Sequence, residues 1–354
     1  MTRRFPRRPL DRNRLPRLVG LLAVIVIAAA CGNDTPAPGG DTPSADASLT
    51  VYSGRNEEFI GPLFERFMAD TGIELAIRYA DSAELAATIL EEGENSPADV
   101  FVSQDAGSLG AVAAGGLFAG IDPGTLERVD ARFRSRDGLW VGISGRARVA
   151  AYNTEVVQPE DLPASVTGFT DPEWRGRIGF PPTNGSFQAF VAAMILTEGE
   201  DAARTFLEGL AANEPKLYEG NADVVRGIAA GEIDAGLVNH YYKYEIAAED
   251  GDIPVENHFF TDGDPGALVN TAGAGVLDTT EEADAAAELV DYLTGEVGQT
   301  YFAEETFEYP VVPGFEPSVE LVPLEEIQSP DVDLSDLAGT IEPALELLAE
   351  VGLV

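Results

Sequence analysis

Residues Asn239, His240, Tyr241 and Tyr242 set a carboxamide, an imidazole and two phenols at four consecutive positions. Each can offer a ligand oxygen or nitrogen, and a phenol that loses its proton becomes an anionic donor. Neighbouring side chains diverge on regular structure: they take opposite faces on a strand and lie roughly 100° apart on a helix. Both hydroxyls can converge on one point only at an irregular junction. The preceding stretch, Gly231 to Val238, reads as a Gly-punctuated turn from a helix into a strand, so the tyrosines fall just beyond that strand. Taken alone, the pair reads more simply as a half-buried aromatic couple with its polar tips at a surface.

A second group with chemistry is Pro181-Pro182-Thr183-Asn184-Gly185-Ser186, which opens a helix carrying Phe190, Val191 and Met194. Free N–H groups at a helix start, beside small polar residues, make a ready anion site. Ordinary capping by Thr183 or Ser186 explains the same residues. Asn221 is expected to cap the following helix and could turn its amide toward a ligand. Catalytic patterns are missing: there is no G-x-S-x-G, no H-E-x-x-H and no phosphate-binding loop. The single cysteine is Cys31 and the only histidines are His240 and His258, so an exported enzyme is a poor reading.

Several elements must position these groups. Leu49 to Ser53 alternates as a strand running into Gly54-Arg55-Asn56. Glu57 to Asp70 is helical in spacing, with Phe59, Leu63, Phe64 and Phe67 on one side, and Thr71-Gly72 ends it. Ile73 to Tyr79 is a strand, Ser82 to Glu92 a helix, Ala98 to Val102 a strand, and another helix starts near Ala106. This alternation predicts an α/β fold with mostly parallel sheets, whose ligands sit beyond the carboxyl ends of strands. Trp140 to Asn153 and Gly266 to Val276 look extended enough to pass between two lobes as hinge strands. Helices return at Ala285 to Leu293 and Ala338 to Val351, and Glu308-Tyr309-Pro310 is expected to pack as coil across the first lobe.

The N-terminus carries seven arginines, an apolar run from Leu18 to Ala30, and then Cys31-Gly32. The run is short for a permanent span, which needs about 20 apolar residues. It reads as a signal peptide over residues 1–30. Cys31, following Ala28-Ala29-Ala30, resembles a lipobox cysteine, with cleavage as a plain signal peptide the alternative. Residues 31–47, rich in Pro, Gly and Asp, read as a flexible linker from a lipid anchor. Beyond residue 30 there are 15 basic and 60 acidic residues, a net charge of −45, and only two lysines, Lys216 and Lys243. That charge repels nucleic acid and anionic lipid heads. The size suggests two domains, and no feature calls for more than a monomer.

The chain is similar, over about residues 48 to 353, to the ferric-iron-binding proteins of ABC importers, the transferrin-like periplasmic binding proteins. The marks are Thr50 to Arg55, Ala98 to Phe101, Pro182 to Phe187, Gly231 to Ala235 running into Asn239 to Tyr242, and Asp264 to Val269. The resemblance implies a two-lobed type II periplasmic-binding-protein fold. It divides into lobe 1 (48–148), lobe 2 (149–268) and a completion of lobe 1 with the C-terminal helices (269–354). It implies Tyr241 and Tyr242 as Fe(III) ligands and a membrane permease as partner. Where members of the family carry a His and a Glu ligand, this chain has Asn56 and Gln104; Glu57 falls where others use a tyrosine. A synergistic phosphate or carbonate would lie at Asn184, Gly185 and Ser186 with Asn221 and Asn239, steadied by Arg55 or Arg146, for both of which a surface or interlobe ion pair is an equal reading. Two phenolates leave one positive charge of Fe³⁺ for that anion to offset. Asp105 falls where the family has an anion-contacting Gln. The neutral Asn56 and Gln104 favour a rival ligand, an organic compound or oxyanion such as a phosphonate, sulfonate or thiamine-like molecule. The expected location is the extracytoplasmic face of the cell membrane or the periplasm.

Overall fold

The computed structural model describes residues 47–354. The signal segment, Cys31 and the linker up to residue 46 lie outside the described residues. The strands are β1 (Ser48–Ser53), β2 (Glu74–Tyr79), β3 (Val100–Ser103), β4 (Val141–Asn153) and β5 (Ile178–Phe180). They continue with β6 (Lys216–Leu217), β7 (Ala235–Asn239), β8 (Val255–His258) and β9 (Val269–Val276). The first helices are α1 (Glu57–Thr71), α2 (Ser82–Glu92), α3 (Ala106–Ala114) and α4 (Pro123–Arg128). Then come α5 (Gly185–Glu198), α6 (Glu200–Ala212), α7 (Asn221–Ala229) and α8 (Tyr242–Asp250). The last are α9 (Ala283–Thr294), α10 (Glu296–Glu304) and α11 (Ala338–Glu350).

The sheet runs β2-β1-β3-β9-β4-β7-β5-β6, with β8 also on β4. Its ends are parallel, β2-β1-β3 and β7-β5-β6, as strand–helix alternation predicts. Its centre is antiparallel, because β9 and β4 run against their neighbours. β4 is the joint: Val141 to Ala147 pair with β9, and Arg148 to Tyr152 pair with β7. All thirteen of its residues are buried. Gly142, at a register shift in this strand, is a forced choice, since a Cβ there would stand 2.5 Å from the Phe133 carbonyl oxygen.

α1 shows how the local sequence works. Ile60, Leu63, Phe64 and Phe67 recur at helical spacing and are buried. Gly72 then takes φ 79°, and its N–H closes the helix on the Met68 carbonyl. Ile60 replaces Phe59 in the predicted stripe; Phe59 leaves the core and turns toward the tyrosine pair. Tyr309 holds the late coil to β4 by two backbone bonds with Gly145, of 2.7 and 3.0 Å. α11 packs against α5 and α3.

Candidate metal and anion site

β7 ends at Asn239 and α8 begins at Tyr242, so His240 and Tyr241 form the irregular junction that convergence requires. The junction is locked from three sides. The His240 N–H donates to the Ala147 carbonyl at 3.0 Å, and Asn257 Nδ2 donates to the His240 carbonyl at 2.7 Å. His240 Nδ1 accepts from the Ala147 N–H at 3.2 Å, which leaves Nε2 to donate to the Phe307 carbonyl at 3.2 Å. Both ring nitrogens are therefore used, and His240 is a structural residue beside the pair. Burial drives its pKa down to about 4, so it stays neutral.

Tyr241 and Tyr242 are buried, with ring centroids 4.3 Å apart and planes inclined by 30°. Phe59 of α1 meets both rings edge-on, at 5.8 and 6.2 Å. Burial raises the Tyr241 pKa, while Arg146 and Arg55 work the other way. Tyr242 is pushed well above the ordinary phenol value, by burial first and then by Tyr241 and Glu245. Both phenols hold their protons at neutral pH. Among the described residues no group of three or more His, Cys, Asp or Glu side chains could hold a metal ion. A metal in this cleft would depend on the tyrosine oxygens.

Three buried guanidiniums surround the pair. Arg55 forms a two-pronged ion pair with Glu308, at 2.7 and 3.1 Å, and donates to Ser144 Oγ at 3.1 Å. Burial opposes the Glu308 charge, but Arg55 and Arg146 outweigh it and hold the carboxyl below its usual range. Arg146 Nε lies 3.8 Å from Glu308, and its Nε and Nη1 have no hydrogen-bond partner. Ser144, Arg146 and Arg148 alternate along β4 and reach the same side.

The start of α5 is the second half of the site. Asn184, not Thr183 or Ser186, is the cap: its Oδ1 accepts from the Ser186 N–H at 3.0 Å and the Ser186 hydroxyl at 2.6 Å. Asn221 is the first residue of α7 rather than its cap; its Nδ2 donates to Asn184 Oδ1 at 3.2 Å and Ser186 Oγ at 3.3 Å. Arg148 Nη1 reaches Ser186 Oγ and Asn239 Oδ1, both at 3.3 Å. Asn184, Ser186, Asn221 and Asn239 thus come together, with Gly185 at the helix start.

A cavity of about 250 Å³ joins the two halves; Asn56, Gln104, Asn184, Gly185 and Tyr242 are among its lining. Glu57 is not in it: it is exposed and lies against Gly61 and Tyr79. Arg55, predicted to steady an anion, is engaged by Glu308 instead. Asp105 caps α3, accepting from Ser108 N–H and Oγ at 2.8 and 3.0 Å, and burial raises its pKa. A Cβ at Gly185 would stand 3.9 Å from its Oδ2, so this carboxyl does face the α5 start. Sequence reading missed Arg148 and Glu308. The alternation of β4 could have found the first. Nothing local marks the second, which meets Arg55 across 253 positions.

Residues 95–331 match the profile of the bacterial extracellular solute-binding proteins. The chain is 33% identical over 319 residues to the Fe(3+)-binding periplasmic protein of Serratia marcescens, covering 89% of this chain and 94% of that one. Iron-bound HitA from Pseudomonas aeruginosa superposes with a TM-score of 0.82 at 36% identity, over 86% of this chain and 99% of that one. The Trichodesmium protein solved with iron and citrate ligands superposes at 0.74 and 29% identity, over 86% and 99%. The fold is the two-lobed type II arrangement of periplasmic binding proteins. The chain belongs to the bacterial extracellular solute-binding proteins, a family of binding proteins and not of enzymes.

Proposed function

We propose that this protein is the ferric-iron-binding component of an ABC importer. It holds Fe³⁺ on Tyr241 and Tyr242, with a synergistic anion at the start of α5. The carrying observation is the pair of buried phenols, with ring centroids 4.3 Å apart, beside guanidiniums that favour their ionised form. Hard Fe³⁺ prefers such oxygen donors. Relatives named for ferric binding, and a neighbour solved with iron and citrate, support the reading. In this scheme residues 48–148 and 269–354 form one lobe and 149–268 the other, and closure brings Asn56 and Gln104 over the tyrosines. Cys31 would carry the lipid anchor and a membrane permease would receive the loaded form.

Titration of metal-free protein with ferric citrate tests this. A visible tyrosinate–iron charge-transfer band is expected, reduced or abolished by Tyr241→Phe and by Tyr242→Phe. One observation favours a second reading, an oxyanion alone as cargo: Asn56 and Gln104 line the cavity as neutral amides while Arg148 has only neutral partners. A colourless protein that binds a phosphonate would move the assignment there.

A further inference from the structure

We propose that α11 is a brace across the cleft, anchored to both walls and flexing at Pro343 as the cleft opens. The inference goes beyond the iron reading, since it rests on the two-lobed fold and not on the cargo. α3 begins two residues after Gln104, and α5 begins at Gly185. α11 packs against both of these helices. Leu345, near the middle of α11, lines the same cavity as Gln104 and Gly185, so the brace lies on the cleft side.

The start of α11 fits closely on α3. Gly107 and Gly110 lie one turn apart on that helix. A Cβ at Gly107 would stand 2.8 Å from Ile341 Cγ1, and one at Gly110 2.9 Å from Ala338 Cβ. Only glycines let the two helices come so near. The turn Leu334–Leu337, which leads into α11, packs on α3 as well. It is also tied within residues 48–148, where Arg136 pairs with Asp333 at 2.6 Å and with Asp336 at 3.1 Å. Beyond Pro343 the helix buries Ala344, Leu347 and Leu348 and packs along α5, and Glu350 at its end pairs with Arg204 of α6. Pro343 stands between the two anchorages. It has no N–H for the Gly339 carbonyl, and its ring crowds that carbonyl. A helix bends most easily where this bond is missing. Opening must part Gln104 from Gly185, and with them α3 from α5. Anchored at both ends, α11 resists that motion and yields at Pro343. The empty protein is thereby biased toward the closed form before any cargo arrives.

Small-angle scattering of the metal-free protein tests the brace. Gly110→Leu wedges the α3 contact apart and is expected to raise the radius of gyration above the parent's. Ile341→Ala, a milder loosening of the same contact, decides the matter if the Leu variant melts out. Arg175→Gln, which breaks an exposed ion pair with Glu214 outside α11, should leave the radius unchanged. A radius equal to the parent's in both α3-contact variants overturns the brace, and so does an equal rise in Arg175→Gln. The bend point is read from the rate at which excess EDTA removes iron and bleaches the charge-transfer band. Pro343→Ala makes bending break a hydrogen bond, so release should slow about 2- to 10-fold, the worth of one such bond. Release at the parent's rate overturns the flexing at Pro343. If ferric citrate gives no band, the iron reading falls, and the brace is still decided by scattering.

Discussion

The two walls of the cleft differ in what they bring. One wall, built from β7, α8 and the starts of α5 and α7, carries Tyr241, Tyr242, Asn184, Ser186, Asn221 and Asn239, with Arg148 behind them. The other, from the ends of β1 and β3, brings Asn56, Gln104 and the ring of Phe59. Both phenols sit on the first wall, beside amides and a hydroxyl already ordered by hydrogen bonds. The second wall adds neutral amides, an apolar cover and the carboxyls of Asp81, Glu84 and Asp105. Recognition and closure are therefore divided between them: one wall would bind cargo while the cleft is open, and the other would exclude water once it shuts.

The largest effect should fall on the first wall. Tyr241→Phe or Tyr242→Phe removes an anionic donor from a buried cation. That costs about 3–5 kcal/mol, a factor on the order of a thousand in iron affinity. Competition with citrate, followed through the charge-transfer band, measures it. An equal loss from Gln104→Ala would erase the distinction between the walls.

Behind both walls lies the Arg55–Glu308 pair. Glu308→Gln leaves Arg55 and Arg146 without their shared carboxylate, both fully buried. The expected destabilisation is about 3–5 kcal/mol, read by urea unfolding of the metal-free protein. A change under about 1 kcal/mol would mean that the pair is marginal and that its burial is compensated elsewhere.

Much of this arrangement was legible in the sequence, and the reasons differ by residue. Strand and helix periodicity gave α2 to the residue and α1 to within one, because each is decided by local spacing. The strand-to-helix junction at Tyr241 was legible for the same reason. The central antiparallel strands were not, since pairing direction depends on partners more than 100 positions apart, as β3 with β9. Glu57 was not legible because a helix start leaves several directions open to a side chain; here it is exposed beside Gly61 and outside the cavity lining. Arg55 and Arg146 were read as alternatives for one anion, but Glu308 stands between them, at 2.7 and 3.8 Å, and only the three-dimensional pairing reveals that carboxylate and Arg148.

Glu245 gives the first wall a pH signature. It sits one helical turn beyond Tyr241, its Oε2 is buried without a partner, and its pKa is raised to about 7 by burial, then by Glu249. A carboxyl raised in the folded state favours folding while protonated. Its contribution is complete below the ordinary value near 4.5 and is lost as pH rises through about 7. Glu245→Gln removes that loss. After allowance for its partial exposure to solvent, the gain at pH 8 should be about 1–2 kcal/mol, with almost none at pH 4.5. Thermal melts of the metal-free protein at the two values check it, and a gain of equal size at both would trace the effect to packing.

The smallest effect belongs to the second wall. Asn56 is exposed and Gln104 half-buried, and among the described residues neither side chain forms a hydrogen bond across the cleft. Asn56→Ala should change iron affinity by less than about 0.5 kcal/mol, as for a surface substitution away from strong contacts. The informative partner is Gln104→Glu, which replaces a neutral amide lining the cavity with an anionic oxygen. If the cleft shuts over the metal, the new carboxylate should tighten iron about tenfold, the size of one added charge-assisted contact. If Gln104→Glu leaves affinity unchanged while Asn56→Ala lowers it, the cover contributes through amide contacts and the division of labour between the walls is wrong.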